Sequence, residues 1–404
     1  MTRTAASLAT GPFGHDWPSV AVKHLAVFQS GSAIDGEEIE DFGTYPVYGG
    51  NGLRGYTERS THRGEFVLVG RQGALCGNIN YAEGRFWASE HALVGHPRRM
   101  FHRQWFGEVL RTANLGQFST AAAQPGIAAE VVNNLRIPVP PVEIQRLIAR
   151  FLERETGRID GLIEKKTRFI ALLKEKRAAV ITHAVTKGFD PDAPMKDSGQ
   201  DWLDRVPAHW EVIAAARLFV ERDERSKTGD EELLTVSHLT GVTPRSEKTV
   251  HMIEAESTIG YKRCLPGDLV VNTLWAWMGA MGTAPILGIA SPAYNVYTPK
   301  AKLIDPRYID YIVRLQIFAK EVTRFSKGVW SSRLRLYPEG LREVRFPVPP
   351  LDEQARIADH LDIETARIDG LIALTERSID LLREKRAALI TAAVTGKIDV
   401  RAAA

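Results

Sequence analysis

The sequence has few cysteines and lacks the features of a secreted protein. Cys76 and Cys264 are its only cysteines, and neither has another Cys or a His at metal-site spacing. We therefore expect neither disulfide bonds nor a zinc site. The amino-terminal residues contain no continuous apolar core of signal-peptide length. These absences predict a cytoplasmic protein.

Charged residues are missing from 269–299, a run long enough to cross a bilayer. Asn272, Gly282 and Pro285 divide this run into pieces of strand length. We therefore predict buried β-strands joined by turns and no membrane span. The net charge of +3 permits a polyanionic partner without requiring one.

Several catalytic motifs are also absent. The sequence has no NPPY-like or Pro-Cys motif of nucleic-acid methyltransferases, no Walker A phosphate loop and no HExxH zinc motif. His91 and His96 lie among apolar residues, which is more typical of core or turn histidines than of ligands. We predict no catalytic site and no metal site in this chain.

A long internal repeat is present instead. EKRAAVITHAVTKGFD at 175–190 recurs as EKRAALITAAVTGKID at 384–399, and the match extends back to IPVPPVEIQ at 137 and FPVPPLDEQ at 346. The two copies align in one register without gaps. The chain is therefore two variable blocks, each followed by one copy of the repeat.

Each repeat predicts a long helix. Proline favours an extended entry at PVPP, and helix formers follow at once. Apolar residues then recur at spacings of three, four and seven residues, as on one face of a helix. In the first repeat they are Ile148, Leu152, Ile159, Leu162, Ile163, Ile170, Leu173, Val180 and Ile181, and in the second they are Ile357, Leu361, Ile368, Leu371, Ile372, Ile379, Leu382, Leu389 and Ile390.

The two predicted helices carry opposite net charge. Residues 143–187 include 11 basic and 6 acidic residues, whereas 352–397 include 7 basic and 9 acidic residues. This difference favours pairing of the two helices with each other as an intramolecular antiparallel coiled coil. Forty helical residues span about 60 Å, so antiparallel pairing would place the variable blocks at opposite ends of a rod.

The repeated EKRAA segment has two interpretations. Its charged residues are individually most typical of a solvated helix face. A surface that occurs twice is, however, suited to binding two copies of one partner. We therefore predict a partner-binding role for Glu175, Lys176, Arg177, Glu384, Lys385 and Arg386.

The predicted fold class is α+β. The predicted domains are a variable block at 1–136, a helical region at 137–190, a second variable block at 191–345 and a second helical region at 346–404. Both variable blocks mix short strands and helices, such as the helical stretch at 306–324. Glycines in YPVYGGNGLRGYTE at 45–58 are interpreted as hairpin turns.

Polar, aromatic and cationic residues cluster in the loops of the variable blocks. Arg suits guanine edges, and Asn or Gln suits adenine edges, in the major groove of DNA. The candidate DNA contacts are Tyr48, Asn51, Arg54, Arg71, Gln72, Trp87, Trp275, Trp277, Lys327, Trp330, Ser331 and Arg333. Each tryptophan alone is more typical of a core, whereas the basic loop at 325–336 is typical of an exposed binding loop.

The repeats carry a family resemblance. PVPPVEIQ and FPVPPLDEQ, each followed by ETxRIDGLI, LLxEKRAAxIT and AVT, resemble the specificity subunits of Type I restriction-modification systems over the whole chain. The resemblance implies two target-recognition domains that read the halves of a split, asymmetric DNA sequence. Helix length would set the spacer between the halves.

The resemblance also implies partners. Two methyltransferase subunits would bind the repeated helices and carry S-adenosylmethionine, while separate translocase-nuclease subunits would use ATP and magnesium. This chain itself would bind no cofactor and no membrane. One departure is visible, because Glu143-Ile144-Gln145 stands where the second repeat has the family-like Asp352-Glu353-Gln354.

Two other functions are compatible with parts of the pattern. A self-contained endonuclease would need catalytic motifs that the sequence lacks. A coiled-coil adaptor with protein-binding ends would explain the helices but not base-reading side chains in the loops. Salt dependence distinguishes DNA binding from the adaptor function. Binding to DNA through phosphates weakens steeply as the salt concentration rises, whereas a mainly apolar protein contact does not.

Overall fold

The computed structural model describes residues 8–119, 125–248, 257–300, 303–328 and 334–403. The chain divides into two compact units that are each assembled from distant segments of sequence. Unit 1 comprises Met1–Arg168 and Glu376–Ala404, and unit 2 comprises Phe169–Thr375. Each unit therefore contains one variable block and parts of both repeats.

Unit 1 combines short strands with parts of two long helices. Its strands are β1 (Ser19–Ala21), β2 (Ala26–Ser30), β3 (Tyr45–Gly49), β4 (Gly52–Thr57), β5 (His62–Arg63), β6 (Phe66–Gly70), β7 (Ile79–Ala82), β8 (Arg85–Ala88), β9 (Ala92–Pro97) and β10 (Arg136–Pro138). Its helices are α1 (Arg103–Thr112), α2 (Ala129–Asn134), the first part of α3 (Val142–Lys187) and the last part of α8 (Leu351–Val394), and the remaining parts of α3 and α8 belong to unit 2.

Two four-stranded sheets form the variable block of unit 1. One has the antiparallel order β2-β9-β6-β7, and the other has the order β4-β3-β8-β5 with β3 and β8 parallel. Helix α1 packs on the first sheet and buries Trp105 and Phe106 against Phe28. The glycine-rich segment at 45–58 is the β3–β4 hairpin, as predicted.

Unit 2 has the same kinds of element. Its strands are β11 (Met195–Asp197), β12 (Arg205–Pro207), β13 (Glu211–Ala214), β14 (Phe219–Arg222), β15 (Leu234–Ser237), β16 (Gly241–Pro244), β17 (Lys262–Cys264), β18 (Leu269–Val271), β19 (Met281–Thr283), β20 (Gly288–Ala290), β21 (Asn295–Pro299) and β22 (Arg345–Val348). Its helices are α4 (Ala215–Leu218), α5 (Pro306–Val313), α6 (Gln316–Arg324), α7 (Pro338–Glu343) and the first part of α8 (Leu351–Val394).

The main sheet of unit 2 repeats the topology of unit 1. Its order β14-β21-β18-β19 corresponds strand for strand to β2-β9-β6-β7. The edge pairs β13–β22 and β1–β10 also correspond, since each joins the start of a variable block to the PVPP segment. The α+β class, with two sheet-rich domains and two long helices, is confirmed.

The uncharged run at 269–299 folds as strands β18 to β21, as predicted. Apolar side chains at Leu269, Val270 and Val296 are fully buried. Among the helices of the described residues, none combines the length and the apolar character needed to cross a membrane.

The repeats form the two longest helices described. Helix α3 has 46 residues and α8 has 44, and each begins directly after the PVPP segment. Gly188 follows α3 with a φ of +73°, a left-handed conformation that glycine adopts without steric cost. Its amide donates to Ala184 O at 3.1 Å, which ends the helix. The predicted long helices are confirmed.

In unit 1 the two long helices pair through a buried apolar seam and one ion pair. Ile148 of α3 lies in the same buried cluster as Ile390 of α8. Farther along α3, Asp160 accepts a hydrogen bond from Arg386 Nε at 2.8 Å. The contact moves towards the start of α8 as α3 proceeds, so the helices run antiparallel within this unit.

In unit 2 the other segments of the same helices pair in the same way. Ile181 of α3 shares a buried cluster with Leu361 of α8. Arg177 Nε donates to Asp369 Oδ1 at 3.0 Å. Since Asp160 and Asp369 occupy the same position of the repeat, as do Arg177 and Arg386, each unit contains the same ion pair.

Two predicted apolar positions are exposed to solvent. Leu162 and its repeat counterpart Leu371 are 47% and 39% exposed. The apolar stripe of each helix is wider than the seam that the paired helix covers, so some leucines at helical spacing remain at the surface.

A buried glutamine in each repeat attaches the variable block to its helix. Gln145 accepts from the backbone amide of His102 at 2.8 Å and donates to Pro140 O at 2.9 Å. Gln354 likewise accepts from the amide of Asp305 at 2.9 Å. Its Nε2 donates to the carbonyl oxygens of Pro349 and Leu303, both at 2.9 Å. The loop before α1 and the loop before α5 are thereby held against the start of a long helix.

Candidate nucleic-acid interface

The turn between β6 and β7 forms one side of the candidate interface in unit 1. Gly73 and Gly77 have φ values of +94° and +87°, which other residues rarely adopt. Arg71 O accepts from the amide of Ile127 at 2.9 Å. Arg71 Nη1 donates to Ser30 Oγ at 2.9 Å, which orients the guanidinium along the surface.

The β3–β4 hairpin lies directly beside this turn. A Cβ atom on Gly50 would lie 2.7 Å from Gln72 O, so only glycine permits this approach. At the hairpin tip, Asn51 Oδ1 accepts from Asn78 Nδ2 at 3.3 Å. The hairpin and the turn therefore bring together four of the predicted DNA contacts, namely Asn51, Arg54, Arg71 and Gln72.

These four side chains differ in their exposure to solvent. Asn51 and Arg54 are exposed, and Arg71 and Gln72 are partly buried. Amide and guanidinium groups at a surface turn can hydrogen-bond to base edges and phosphates. The arrangement is therefore chemically suited to reading the major groove.

The other two predicted contacts of unit 1 lie deeper. Tyr48 is half-buried and meets Phe86 edge to face at 5.6 Å, and burial raises the pKa of its hydroxyl. Trp87 is only 9% exposed, and its Nε1 donates to Ser32 O at 3.1 Å. Arg59 covers the indole at 5.2 Å. Trp87 thus packs as a core residue, which was the alternative interpretation for each tryptophan.

Sequence reasoning did not include His91 in the interface. Its Nδ1 lies 2.9 Å from Gln72 Oε1, and its Nε2 lies 3.1 Å from Glu90 Oε1. His91 therefore orients the Gln72 amide. Its position next to the polar residues Ser89 and Glu90, which follow β8, was the available signal, but apolar neighbours favoured a core or turn assignment.

Unit 2 has a turn at the equivalent place, between β18 and β19. Thr273 O accepts from the amide of Leu336 at 3.0 Å, as Arg71 O does from Ile127. Gly279 has a φ of +87°, equal to that of Gly77 at the corresponding place. Thr273–Gly279 and Arg71–Gly77 are therefore equivalent turns that carry different side chains.

The turn of unit 2 presents aromatic surface. Trp275 is 49% exposed and stacks on Trp277, with ring centroids 6.3 Å apart and an interplanar angle of 15°. Trp277 Nε1 donates to Leu274 O at 3.0 Å. Leu274 itself is 48% exposed. Both predicted tryptophans thus belong to one surface cluster, which we call the aromatic tip (Leu274, Trp275 and Trp277).

Cationic residues lie beside the aromatic tip. Lys327 is exposed and exchanges backbone hydrogen bonds of 2.9 Å with Arg335. The guanidinium of Arg335 lies 5.3 Å from the centroid of the Tyr337 ring. Sequence reasoning missed Arg335, Tyr337 and Leu274, although the first lies within the predicted basic loop. Trp330, Ser331 and Arg333 lie outside the described residues.

The predicted partner-binding residues lie on the long helices. Glu175, Lys176, Glu384 and Lys385 are exposed. Arg177 and Arg386 instead form the ion pairs between the helices, with side chains 33% and 35% exposed. Those two arginines therefore have a structural contact within the chain that the sequence alone did not reveal.

A cleft of about 590 Å³ in unit 2 is lined by charged groups that are paired with each other. Arg307 contacts Asp359 at 2.7 Å and Asp362 at 3.2 Å. Burial, together with Asp362, raises the pKa of Tyr311 to about 12. Because the cations of this cleft are neutralised internally, it is better suited to joining α5 to α8 than to binding an anion. Within the described residues, no group of three or more His, Cys, Asp or Glu side chains could hold a metal ion.

Residues 14–168 match the family described as the Type I restriction modification DNA specificity domain. These residues belong to that family. The match covers the variable block of unit 1 and the first part of α3. The resemblance inferred from the repeats is thereby confirmed.

Relatives of this specificity domain are found in bacteria and archaea. The chain is 42% identical over 118 residues to the EcoprrI specificity subunit of Escherichia coli, covering 29% of each protein. It is 23% identical over 292 residues to the MjaVIII specificity subunit of Methanocaldococcus jannaschii. That match covers 69% of this chain and 65% of the relative.

A solved structure shares the fold. A chain described with the complex assembly and conformational transition of the type I R-M system matches with a TM-score of 0.71 at 15% identity. The match covers 96% of this chain and 99% of the other.

Proposed function

We propose that this protein is the DNA-reading specificity subunit of a Type I restriction-modification complex. Each variable block would read one half of a split, asymmetric DNA sequence. The observation that carries the proposal is the pair of equivalent turns, Arg71–Gly77 and Thr273–Gly279, which occupy the same place in two sheets of one topology and carry unlike side chains. Two copies of one scaffold with different reading surfaces suit a target whose halves differ.

In unit 1 the reading surface is polar. Arg54 and Arg71 can donate to guanine, and Asn51 and Gln72 can pair with adenine, while nearby cations anchor phosphates. This chain would determine where on the DNA the complex binds, and its partner subunits would catalyse the reactions. S-adenosylmethionine would be bound by methyltransferase subunits, and ATP and magnesium by translocase-nuclease subunits.

The helices would bind one methyltransferase subunit at each unit. Unit 1 exposes Leu162 of α3 and Leu381 of α8, and unit 2 exposes Leu371 of α8 and Leu172 of α3. Leu162 corresponds to Leu371 in the repeat, and Leu172 corresponds to Leu381. Each unit therefore offers the same two leucines from exchanged helices. Identical apolar surface presented twice favours two copies of one partner.

Methylation sequencing tests the reading function. Cells that express this chain with its neighbouring methyltransferase should show a split adenine-methylated motif that is lost without the chain. Replacing residues 10–136 by the corresponding block of a relative should change one half of that motif only. A change in both halves, or no motif although the partner is active, would contradict the proposal.

Paired substitutions test the docking of the partner. Leu162→Glu with Leu381→Glu should remove one of two methyltransferase subunits, as should Leu172→Glu with Leu371→Glu in the other unit. Native mass spectrometry of the complex counts the subunits directly. Glu164→Gln, at an exposed position of α3, is the matched control and should retain both. Retention of two subunits by both leucine variants would exclude this surface.

A further inference from the structure

The aromatic tip is an exposed apolar surface on a domain whose proposed ligand is a polyanion. Leu274 and Trp275 are each about half exposed, and no charged residue occurs between 269 and 299. Such a surface cannot contact phosphates favourably. The apolar surface of duplex DNA lies in the interior of the duplex, between the stacked base pairs.

The tip is held rigidly by its own backbone. The amide of Trp275 donates to Asn272 O at 3.0 Å, and the amide of Met278 donates to Trp275 O at 3.0 Å. Ala276 is fully buried beneath the turn. Trp275 also stacks on Trp277, whose Nε1 is bonded to Leu274 O. A side chain that is already ordered loses little conformational entropy when it enters another surface.

Cationic residues lie beside the turn that carries the aromatic tip. The bond from the amide of Leu336 to Thr273 O places Arg335 next to the start of the turn. Lys327 pairs with Arg335 along the backbone. The nearest acidic position in sequence, Asp268, is buried and bonded to Arg222 Nε at 2.9 Å. An apolar tip flanked by positive charge fits DNA better than it fits an apolar protein groove.

The equivalent turn of unit 1 lacks such a tip. At the positions of Leu274 and Trp275 it has Gln72 and Gly73. The backbone hydrogen bonds differ too, since the amide of Gly73 donates to Pro125 O whereas the amide of Trp275 donates to Asn272 O. Gln72 can hydrogen-bond to a base edge with both its oxygen and its nitrogen, whereas the largely apolar side chains of Leu274 and Trp275 are suited to base faces and sugar.

We propose that Leu274 and Trp275 insert between neighbouring base pairs in the half-site that unit 2 reads, and unstack and kink the duplex there. The proposal rests on the DNA-reading function proposed above. Unit 2 would thus select its half-site partly by deformability, favouring a flexible pyrimidine–purine step, while unit 1 reads base edges. The two halves of one target would be recognised by different physical means.

Fluorescence of 2-aminopurine tests the insertion in the complex of this chain with its methyltransferase partner. The probe is a set of duplexes carrying the methylated motif, with 2-aminopurine placed at successive steps of both halves. Binding should raise the fluorescence at one step of the half-site read by unit 2 and at none of the other half. Trp275→Ala should abolish that rise and weaken binding about tenfold, since stacking of an aromatic residue on a base is typically of that strength.

Matched variants separate insertion from a general loss of structure. Trp275→Phe should restore part of the fluorescence rise, and Leu274→Asn should reduce it, with unchanged thermal unfolding. Gln72→Ala, at the corresponding turn of unit 1, should weaken discrimination in the other half-site without changing the signal.

The outcomes distinguish the two proposals. Sequence-specific binding without any rise in fluorescence, or a rise that Trp275→Ala leaves unchanged, would overturn the insertion alone. Absence of sequence-specific binding would overturn the reading function itself. If Trp275→Ala releases the methyltransferase in the absence of DNA, the tip is a protein contact and the insertion is wrong.

Discussion

Arg386 Nε donates to Asp160 Oδ1 at 2.8 Å, so the EKRAA segment of one repeat contacts the RIDGLI segment of the other. The reciprocal bond joins Arg177 to Asp369 in unit 2. The first repeat thus supplies the aspartate in unit 1 and the arginine in unit 2, and the second repeat does the reverse. This exchange gives the two motifs a reason to recur together that is independent of any partner.

Charge exchange at this ion pair should show a small but measurable coupling. Both side chains are partly exposed, at 35% and 51%, so Arg386→Glu or Asp160→Arg should each destabilise by less than about 1 kcal/mol. Combining the two should recover most of the loss. Denaturant unfolding of the four proteins measures the coupling. The exposed Arg383–Asp380 pair within α8 is the control and should show less.

Replacing the buried glutamines by methionine should loosen the variable blocks from the helices. Gln354→Met leaves the amide of Asp305 and two carbonyl oxygens without their partner, and we expect a loss of about 3 kcal/mol. Gln145→Met removes one fewer bond and should cost about 2 kcal/mol.

Hydrogen exchange locates the effect of these substitutions. The amide of Asp305 should exchange faster in Gln354→Met, and the amide of His102 should exchange faster in Gln145→Met. Amides in the main sheets should lose protection only as far as the global stability of the protein decreases. Unchanged exchange at both amides would show that other contacts hold these loops.

Unit 1 should lose stability as the pH falls below about 6.5, the ordinary pKa of histidine. Burial lowers the pKa of His62 and His96, whose rings lie 5.5 Å apart, and the neighbouring His96 lowers that of His62 further. The unfolded chain therefore binds protons that the folded chain does not, so the free energy of unfolding decreases as pH falls through this range.

Substitution of the two histidines by glutamine should flatten this pH dependence. The midpoint of chemical unfolding of unit 1, followed between about pH 7.5 and about pH 5.5, gives the slope. His24→Gln removes an exposed histidine from the same unit and serves as control. A slope that persists in the double variant would assign the effect to other groups, such as His102, whose pKa is also lowered by burial.

The two turn glycines should respond unequally to alanine. The Cβ atom added by Gly279→Ala would have Ala319 Cβ as its nearest neighbour, at 3.7 Å, and would not collide with it. The only cost is therefore the strain of an alanine in the left-handed backbone conformation, about 1–2 kcal/mol of stability. Gly77→Ala has the same backbone but would also collide with the backbone at Gly116, and should lose more. Thermal unfolding of the two variants gives the comparison. Equal losses would show that Gly116 moves away freely.

Much of the local structure could be predicted from the residues. The PVPP entries and the apolar period of the repeats predict α3 and α8 because helix formation depends on neighbours three and four residues apart. Glycine and proline in the run at 269–299 predict short strands for a similar reason, since these residues act on the backbone at their own positions. The composition of the loops also indicated most of the residues that the β3–β4 hairpin and its neighbouring turn bring together.

Other features depend on which segments meet. Periodicity places Leu162 and Ile148 on the apolar side of α3, yet only packing leaves the first exposed and the second buried. Trp87 and Trp275 have equally ambiguous surroundings in sequence, and the sheet buries one while the turn exposes the other.

The sequence by itself determined the two repeats, their long helices and the α+β class, because these follow from short-range spacing. Tertiary structure alone decided that Arg177 and Arg386 pair with aspartates distant in sequence and that the aromatic tip faces solvent. Burial and ion pairing depend on contacts between residues far apart along the chain, and a local pattern of residues does not specify which distant segment will cover it.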